Sequence, residues 1–320
     1  MWTNFHARLH QELKNRLLLP KNSKILIAVS GGQDSLCLAR LCLDLQSKWG
    51  WNLAIAHYDH NWVLDEGLAS HVEKIAENWG IKFYLKKANQ QIPETEADAR
   101  KYRYEGLINI ATNHQFNYLV TGHTLSDRSE TFIYNLMRGA GMEGLSALQW
   151  TRKLSDHLTL VRPLLNFTRG ETLAFCQQLE LPIWEDKYNE DKKFARNRIR
   201  LDLIPYLKKE FNPQIEKHLT QTAEILRAEV EFLTQEAEKL FNLALSSDGQ
   251  SIKCSVLIGK PLSLQRRVIK VFFEQKLKTM PNFEQIEAIV SLITAPNLSR
   301  TSTLHKGYFA QVKGDKIVII

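Results

Sequence analysis

Six small and polar residues, SGGQDS at positions 30–35, interrupt an otherwise apolar stretch. Gly31 and Gly32 let the backbone turn sharply and bring its N–H groups against an anion. A helix beginning near Ser35 adds the positive end of its dipole, and Ser30 and Ser35 add hydroxyl donors. With Gln33, these residues are candidates for holding phosphate. Asp34 is the discordant member, because a carboxylate repels phosphate unless a cation stands between them. A magnesium ion bridging Asp34 and the phosphates resolves that conflict. The loop lacks the Gly-Lys-Ser/Thr of a Walker motif and the third glycine of a dinucleotide fingerprint.

A second cluster, TGHTLSDRSET, places Asp127 and Glu130 three residues apart. On a helix they share one face. Aimed at a nucleotide, such a pair suits a metal or a substrate ammonium; as mere helix-start acids it would only complement the dipole. His57 and His60, in HYDH, have the types of metal ligands, although polar packing at a strand end is the preferred reading. Cys37, Cys42, Cys176 and Cys254 are scattered without a CxxC pair, which excludes a disulfide framework and points to small buried side chains.

The elements that must position these residues alternate. KILIAVS is a continuous apolar run, as a strand buried on both faces requires, and LCLARLCLDLQSKWG after it carries a helical stripe. WNLAIAHYDH, IKFYLKK, FNYLVTGH and LTLVRPLLN read as further strands, with helices around 67–79, 95–115 and 126–141 between them. That order predicts an α/β fold with a doubly wound parallel sheet, Rossmann-like, whose ligands bind at the carboxyl ends of the strands. Thr168 and Glu171 have capping-box spacing. Asn212-Pro213 opens a long helix to about Leu245, SSDGQS marks a boundary, and the remainder reads as a small α+β domain ending in a hairpin at Gly314-Asp315. The expected division is a nucleotide-binding catalytic domain over 1–211, a helical linker over 212–251 and a basic domain over 252–320.

SGGQDS resembles the PP-loop of the ATP pyrophosphatases, which hold the β- and γ-phosphates of ATP and transfer AMP to a substrate oxygen. TGHTLSDRSETFIYNLMRGAGMEGLSAL, RPLLNFTRGETLAFCQQLELPIWED with a following Asn, FARNRIRLDLIPYL and EADARKYRYEGL are similar, in order, to motifs of the lysidine synthases within that superfamily. One departure is Val63, where the family commonly has an Arg after its second strand. The resemblance implies ATP and Mg2+ as cofactors, and L-lysine and the isoleucine tRNA with a CAU anticodon as partners. It also implies the reaction: lysine is joined to the wobble cytidine through an adenylylated base, giving lysidine, AMP and pyrophosphate. In that chemistry Asp34 carries the metal, and Arg138, Arg196 or Arg198 offset charge at the α-phosphate. Asp127 and Glu130 hold the lysine ammonium, His123 is a candidate base, and Ser30 to Ser35 with His57 line the nucleotide. Arg196 and Arg198, two apart, would otherwise form surface ion pairs of little consequence. The rival readings are a PP-loop tRNA thiolase, for which no cysteine sits in a suitable polar motif, and a small-molecule PP-loop amide ligase.

The chain has 320 residues, 44% of them hydrophobic, and a net charge of +7. Residues 252–320 hold eleven Lys and Arg against four Asp and Glu, which equals the whole net charge. A small-molecule ligase leaves that concentration unexplained, whereas a tRNA phosphate backbone uses it. No apolar run approaches the ~20 residues of a membrane helix, and the start lacks an export-signal layout, so a cytoplasmic location with no membrane partner is expected.

Overall fold

The computed structural model of the chain describes residues 2–62, 65–88, 95–185 and 191–320. They form two compact units, Met1–Glu224 and Ile225–Ile320. In the first unit α1 (Asn4–Asn15) precedes β1 (Lys24–Ala28), α2 (Gln33–Trp49), β2 (Asn52–Asp59), α3 (Leu68–Asn78) and β3 (Lys82–Lys87). Then come α4 (Glu96–Asn113), β4 (Tyr118–Thr121), α5 (Leu125–Met137), the single turn α6 (Met142–Leu145), β5 (Thr151–Lys153), β6 (Thr159–Val161) and α7 (Arg169–Gln178).

The six strands lie in the order β3-β2-β1-β4-β6-β5. All pairs are parallel except β5 with β6. The chain moves outward from β1 to β2 and β3, then returns to the other side of β1 to lay down β4 and β6. Between β1 and β4 the connections therefore leave in opposite directions and open a crevice at the carboxyl ends. The apolar run of β1 has the expected cause. Ile25 and Ile27 face a core shared with α2, α3 and α7, while Leu26 faces a second core with Leu107, Ile110 and Ala111 of α4. The three-residue edge strand β5 lies outside the strands expected from the sequence, because Thr-Arg-Lys at a partly exposed edge carries no apolar alternation.

Two features of the helices bear on the site. Thr168 caps α7 as its spacing predicts: its hydroxyl accepts from the Glu171 amide while Glu171 reaches back to the Thr168 N–H. Farther on, α8 (Ala195–Arg198) runs through a wide π-turn (Ile199–Leu203) into α9 (Ile204–Glu210). A π-turn inside a helical run is uncommon and accompanies functional sites. Ile199 of the turn and Ile204 at the start of α9 pack with Ile133 of α5.

The long helix α10 (Ile215–Ala244) crosses the boundary between the units. In the second unit β7 (Ser251–Lys253), α11 (Cys254–Leu257), α12 (Leu262–Leu277), α13 (Phe283–Val290), β8 (Ala310–Lys313) and β9 (Lys316–Ile319) enclose a core built on Phe272, Phe273, Ile289 and Ile317. The strands pair antiparallel in the order β7-β9-β8, and Gly314-Asp315 forms the hairpin turn between Lys313 and Lys316. Among the described residues no helix is long and apolar enough to cross a membrane.

Candidate active site

A cavity of about 410 Å3 opens at the carboxyl ends of β1, β2 and β4, at the point where the sheet's connections diverge. The loop between β1 and α2 forms one wall. Gly31 has φ +86°, and a Cβ there would stand 2.6 Å from Leu68 Cδ1, so only glycine fits. Gly31 shapes the loop without lining the cavity; Ser30, Gly32, Gln33, Asp34 and Ser35 do line it. Gly32 caps α2 without any side-chain acceptor. Ser35 donates to the Gly32 carbonyl at 2.8 Å and accepts the Ser30 N–H at 3.2 Å, which folds the loop around the start of the helix. Gly122, just after β4, lets the opposite wall approach: a Cβ there would lie 2.8 Å from the Asp34 backbone.

Asp34 leans toward α7. Its Oδ1 accepts the Thr172 hydroxyl, and its Oδ2 lies 3.5 Å from Arg169 Nε. Burial pushes its pKa up; Arg169 opposes that shift and the Asp127 carboxylate reinforces it. An acid so placed gains from a further cation. Among the described residues no group of three His, Cys, Asp or Glu forms a protein cage for a metal. One or two carboxylates beside phosphate-binding groups nevertheless fit magnesium, which keeps waters and takes the rest of its oxygens from phosphate.

Asp127 and Glu130 follow on α5, and their roles separate. Asp127 Oδ2 accepts from the Thr124 N–H at 2.7 Å and its hydroxyl at 2.8 Å, which makes Asp127 a capping-box residue. Its Oδ1 lies 3.5 Å from Arg200 Nη2, and the residue lines the cavity. Burial raises the Asp127 pKa, but His123, the Thr124 amide, Arg169 and Arg200 outweigh it and hold the carboxyl below its usual range. Glu130 is buried behind it in a two-pronged pair with Arg200, at 2.7 and 2.8 Å, and does not line the cavity. Burial keeps its pKa raised despite that pair.

Both histidines of HYDH are packed side chains. His57 is buried, and since the Val29 carbonyl 2.8 Å away can only accept, its Nδ1 carries the proton and Nε2 is left as an acceptor. His60 stacks on Trp62 with centroids 4.7 Å apart, and burial, with Arg103 and His57 nearby, pushes its pKa down to about 4. His123 bonds the Thr121 hydroxyl at 2.9 Å. Burial, then Arg162, Arg100 and Arg103, push it down to about 3 against the pull of Asp127. It is neutral at neutral pH and a poor store for a proton.

The arginines expected at the site scatter. Arg196 lines the cavity and also lies over the Tyr134 ring at 5.8 Å. Arg198 is exposed and donates to the Lys192 and Lys193 carbonyls at 2.8 and 3.0 Å. Arg138 ends α5 on the surface, 5.3 Å over Tyr134, outside the cavity lining. The cavity instead receives Arg100 and Arg103 from α4, Arg169 from α7 and Arg200 from the π-turn. Arg196 and Arg200 are four apart, the spacing that shares a helical face, and that was the available signal for Arg200. All four cysteines are buried and none lines the cavity. Burial pushes the Cys42 and Cys176 thiols up to about 12. Val63 and the 186–189 part of the motif after Trp184 lie outside the described residues.

Comparison with known proteins agrees with this geometry. A family model described as a PP-loop domain matches residues 1–207. The chain is 50% identical to a tRNA(Ile)-lysidine synthase of a Nostoc species, over 100% of this chain and 97% of that protein. It is 48% identical to one of a Synechocystis species, covering 98% and 97% of the two chains. Among solved structures, a U34-tRNA thiolase from Methanococcus maripaludis with a [4Fe-4S] cluster superposes with a TM-score of 0.60 at 20% identity, covering 70% of this chain and 78% of its own. That likeness is one of fold. Identity near one half along the full length goes further, and the chain belongs to the tRNA(Ile)-lysidine synthase family of PP-loop enzymes.

Proposed function

We propose that the chain joins L-lysine to the wobble cytidine of the isoleucine tRNA with a CAU anticodon, using ATP and releasing AMP and pyrophosphate. The observation that carries this reading is the meeting, in one cavity, of a phosphate-shaped loop, the paired carboxylates Asp34 and Asp127, and a rim of arginines. Relatives this similar supply the substrate class.

The cytosine carbonyl oxygen is a weak nucleophile and its carbon a weak electrophile, so one adenylylation serves both needs. The oxygen attacks the α-phosphorus, an O–P bond forms, and the bond to pyrophosphate breaks. A lysine amine then attacks the same ring carbon, a C–N bond forms, and the C–O bond breaks as AMP leaves. The Ser30–Ser35 loop and the start of α2 bind the β- and γ-phosphates. Arg196, Arg100 and Arg103 face charge building at the α-phosphate. Asp34 would hold a magnesium ion, which when bound offsets phosphate charge. The Oδ1 of Asp127, free of the cap, suits the lysine ammonium, and Glu130 serves by fixing Arg200. Burial depresses His123 most, and Arg100 and Arg103 of the cavity wall add to it; phosphate opposite those two arginines relieves that smaller part, so a proton-accepting role for His123 belongs after nucleotide binding. The basic second unit supplies phosphate contacts for the tRNA, and the setting is the cytoplasm.

The test is incubation with labelled lysine, ATP and unmodified isoleucine tRNA. Label in the tRNA, with one AMP formed per lysine, is the expected result. Sulfur incorporation from a thiol donor without lysine would identify a thiolase instead. AMP formation with lysine but no tRNA would identify a small-molecule ligase.

A further inference from the structure

Side-chain hydrogen bonds fasten the first turn of α7 to the phosphate loop. Gln33 Nε2 donates to the Arg169 carbonyl at 2.7 Å and to Thr172 Oγ1 at 3.2 Å, and Thr172 donates in turn to Asp34. Arg169 N–H meets Ser126 Oγ at 3.3 Å, which ties the same turn to the start of α5. Held this way, the Arg169 side chain lines the cavity, 28% exposed, with Nε 3.5 Å from Asp34 Oδ2. Its guanidinium thus stands beside the carboxylate assigned above to magnesium. One carboxylate oxygen cannot keep both partners close, since two cations in the same space repel. Arg169 is long and its cavity side is open, so phosphate is an alternative partner with matching two-pronged geometry.

We infer that Arg169 is the resident counter-cation of Asp34: it holds the carboxylate in the nucleotide-free protein and transfers to the terminal phosphates of ATP when a divalent cation takes its place. The inference rests on the reading of Asp34 as the metal-holding residue. It gives the empty protein a charge-balanced site and makes metal and triphosphate enter together, because metal alone must displace a guanidinium that has nowhere better to go. Arg169 is then a positioning residue before ATP arrives and a phosphate contact afterwards.

The two roles predict opposite changes from a single substitution. In Arg169→Met, Mn2+ should bind the nucleotide-free full-length protein about ten-fold tighter than wild type, measured from the electron paramagnetic resonance of free Mn2+. In the same variant, calorimetry with pyrophosphate in excess Mg2+ should show binding about ten-fold weaker. Arg169→Lys, which keeps the charge, should stay near wild type in the Mn2+ titration. A purely structural role for Arg169 would weaken both ligands together, and that result overturns the inference. So does unchanged Mn2+ affinity, or no Mn2+ binding by Arg169→Met up to millimolar concentrations. The Asp34→Asn background separates this from the underlying reading. If Asp34→Asn weakens Mn2+ binding with ATP present while Arg169→Met changes nothing, Asp34 keeps its metal role and only the Arg169 inference fails. If Asp34→Asn leaves Mn2+ binding intact with and without ATP, the metal reading fails, and the inference with it.

Discussion

Arg200→Ala tests whether the charge behind the cavity wall is balanced as described. The Glu130 carboxylate is 3% exposed and Arg200 is 22% exposed, and two hydrogen bonds at 2.7 and 2.8 Å join them. Removing one member of such a pair leaves a buried, uncompensated charge and costs about 3–5 kcal/mol. Because Arg200 borders the cavity, water enters the vacated space, which argues for the lower end, about 3 kcal/mol at pH 8. The pH dependence has a definite sign. Burial already holds the Glu130 pKa above its ordinary value of 4.5, and losing Arg200 raises it further. A folded-state pKa above the unfolded one means that the folded protein takes up the proton more readily. The deficit is therefore fullest above the folded pKa and shrinks as pH falls toward 4.5. Urea unfolding of the full chain at pH 8 and pH 5.5 measures this directly. Replacing both partners, Glu130→Leu with Arg200→Leu, should recover most of the stability while leaving the enzyme inactive. A deficit of about 0.5 kcal/mol or less in Arg200→Ala at both pH values, the size of an ordinary surface change, would refute the reasoning.

Gly122→Ala should push β4 off the loop, since the new Cβ would lie 2.8 Å from the Asp34 backbone. It should cost about 1–3 kcal/mol and weaken ATP binding by calorimetry; unchanged ATP affinity contradicts the close approach. A variant with all four cysteines replaced by Ala or Ser should still form lysidine, with packing losses of about 1 kcal/mol per buried site, and loss of chemistry in a stably folded variant would favour sulfur transfer. Arg266 is pinned to Glu287 by bonds of 2.6 and 2.9 Å. Neutralising Arg266, Arg267 and Lys270 together should lower tRNA affinity and flatten its salt dependence, by about 0.7–0.9 in the log–log slope for every tRNA phosphate that is no longer neutralised. Parallel lines of equal affinity would mean that this face only serves the fold.

The phosphate loop was legible because its glycines, hydroxyls and misplaced acid lie within six consecutive residues between a buried strand and an apolar helix. Local chemistry of that kind survives in a linear string. The capping box at Thr168 and the hairpin at Gly314-Asp315 were legible for the same reason. What brings Arg169 to Asp34 is the packing of α7 on α2, between residues 135 apart in sequence, and no local pattern encodes it. Arg198 and Arg200 illustrate a different obstacle, that of helical phase. Arg198 precedes the π-turn and Arg200 lies within it, and which of them faces the cavity depends on how that turn seats Ile199 and Ile204 against Ile133. Asp127 was ambiguous between a helix-start acid and a site residue because it starts α5 and lines the cavity.

That double use has a consequence for how the enzyme becomes active. One oxygen of Asp127 closes the first turn of α5 through Thr124, while the other faces the cavity. Fraying of that single turn would free the carboxylate to swing away and expose the Thr124 and Asp127 amides at the same moment. Order at one helix end and charge in the cavity thus rise and fall as a single variable. With the role proposed for Asp127, a chain that has not finished folding there presents no ammonium-binding acid, and incomplete molecules would be silent rather than error-prone.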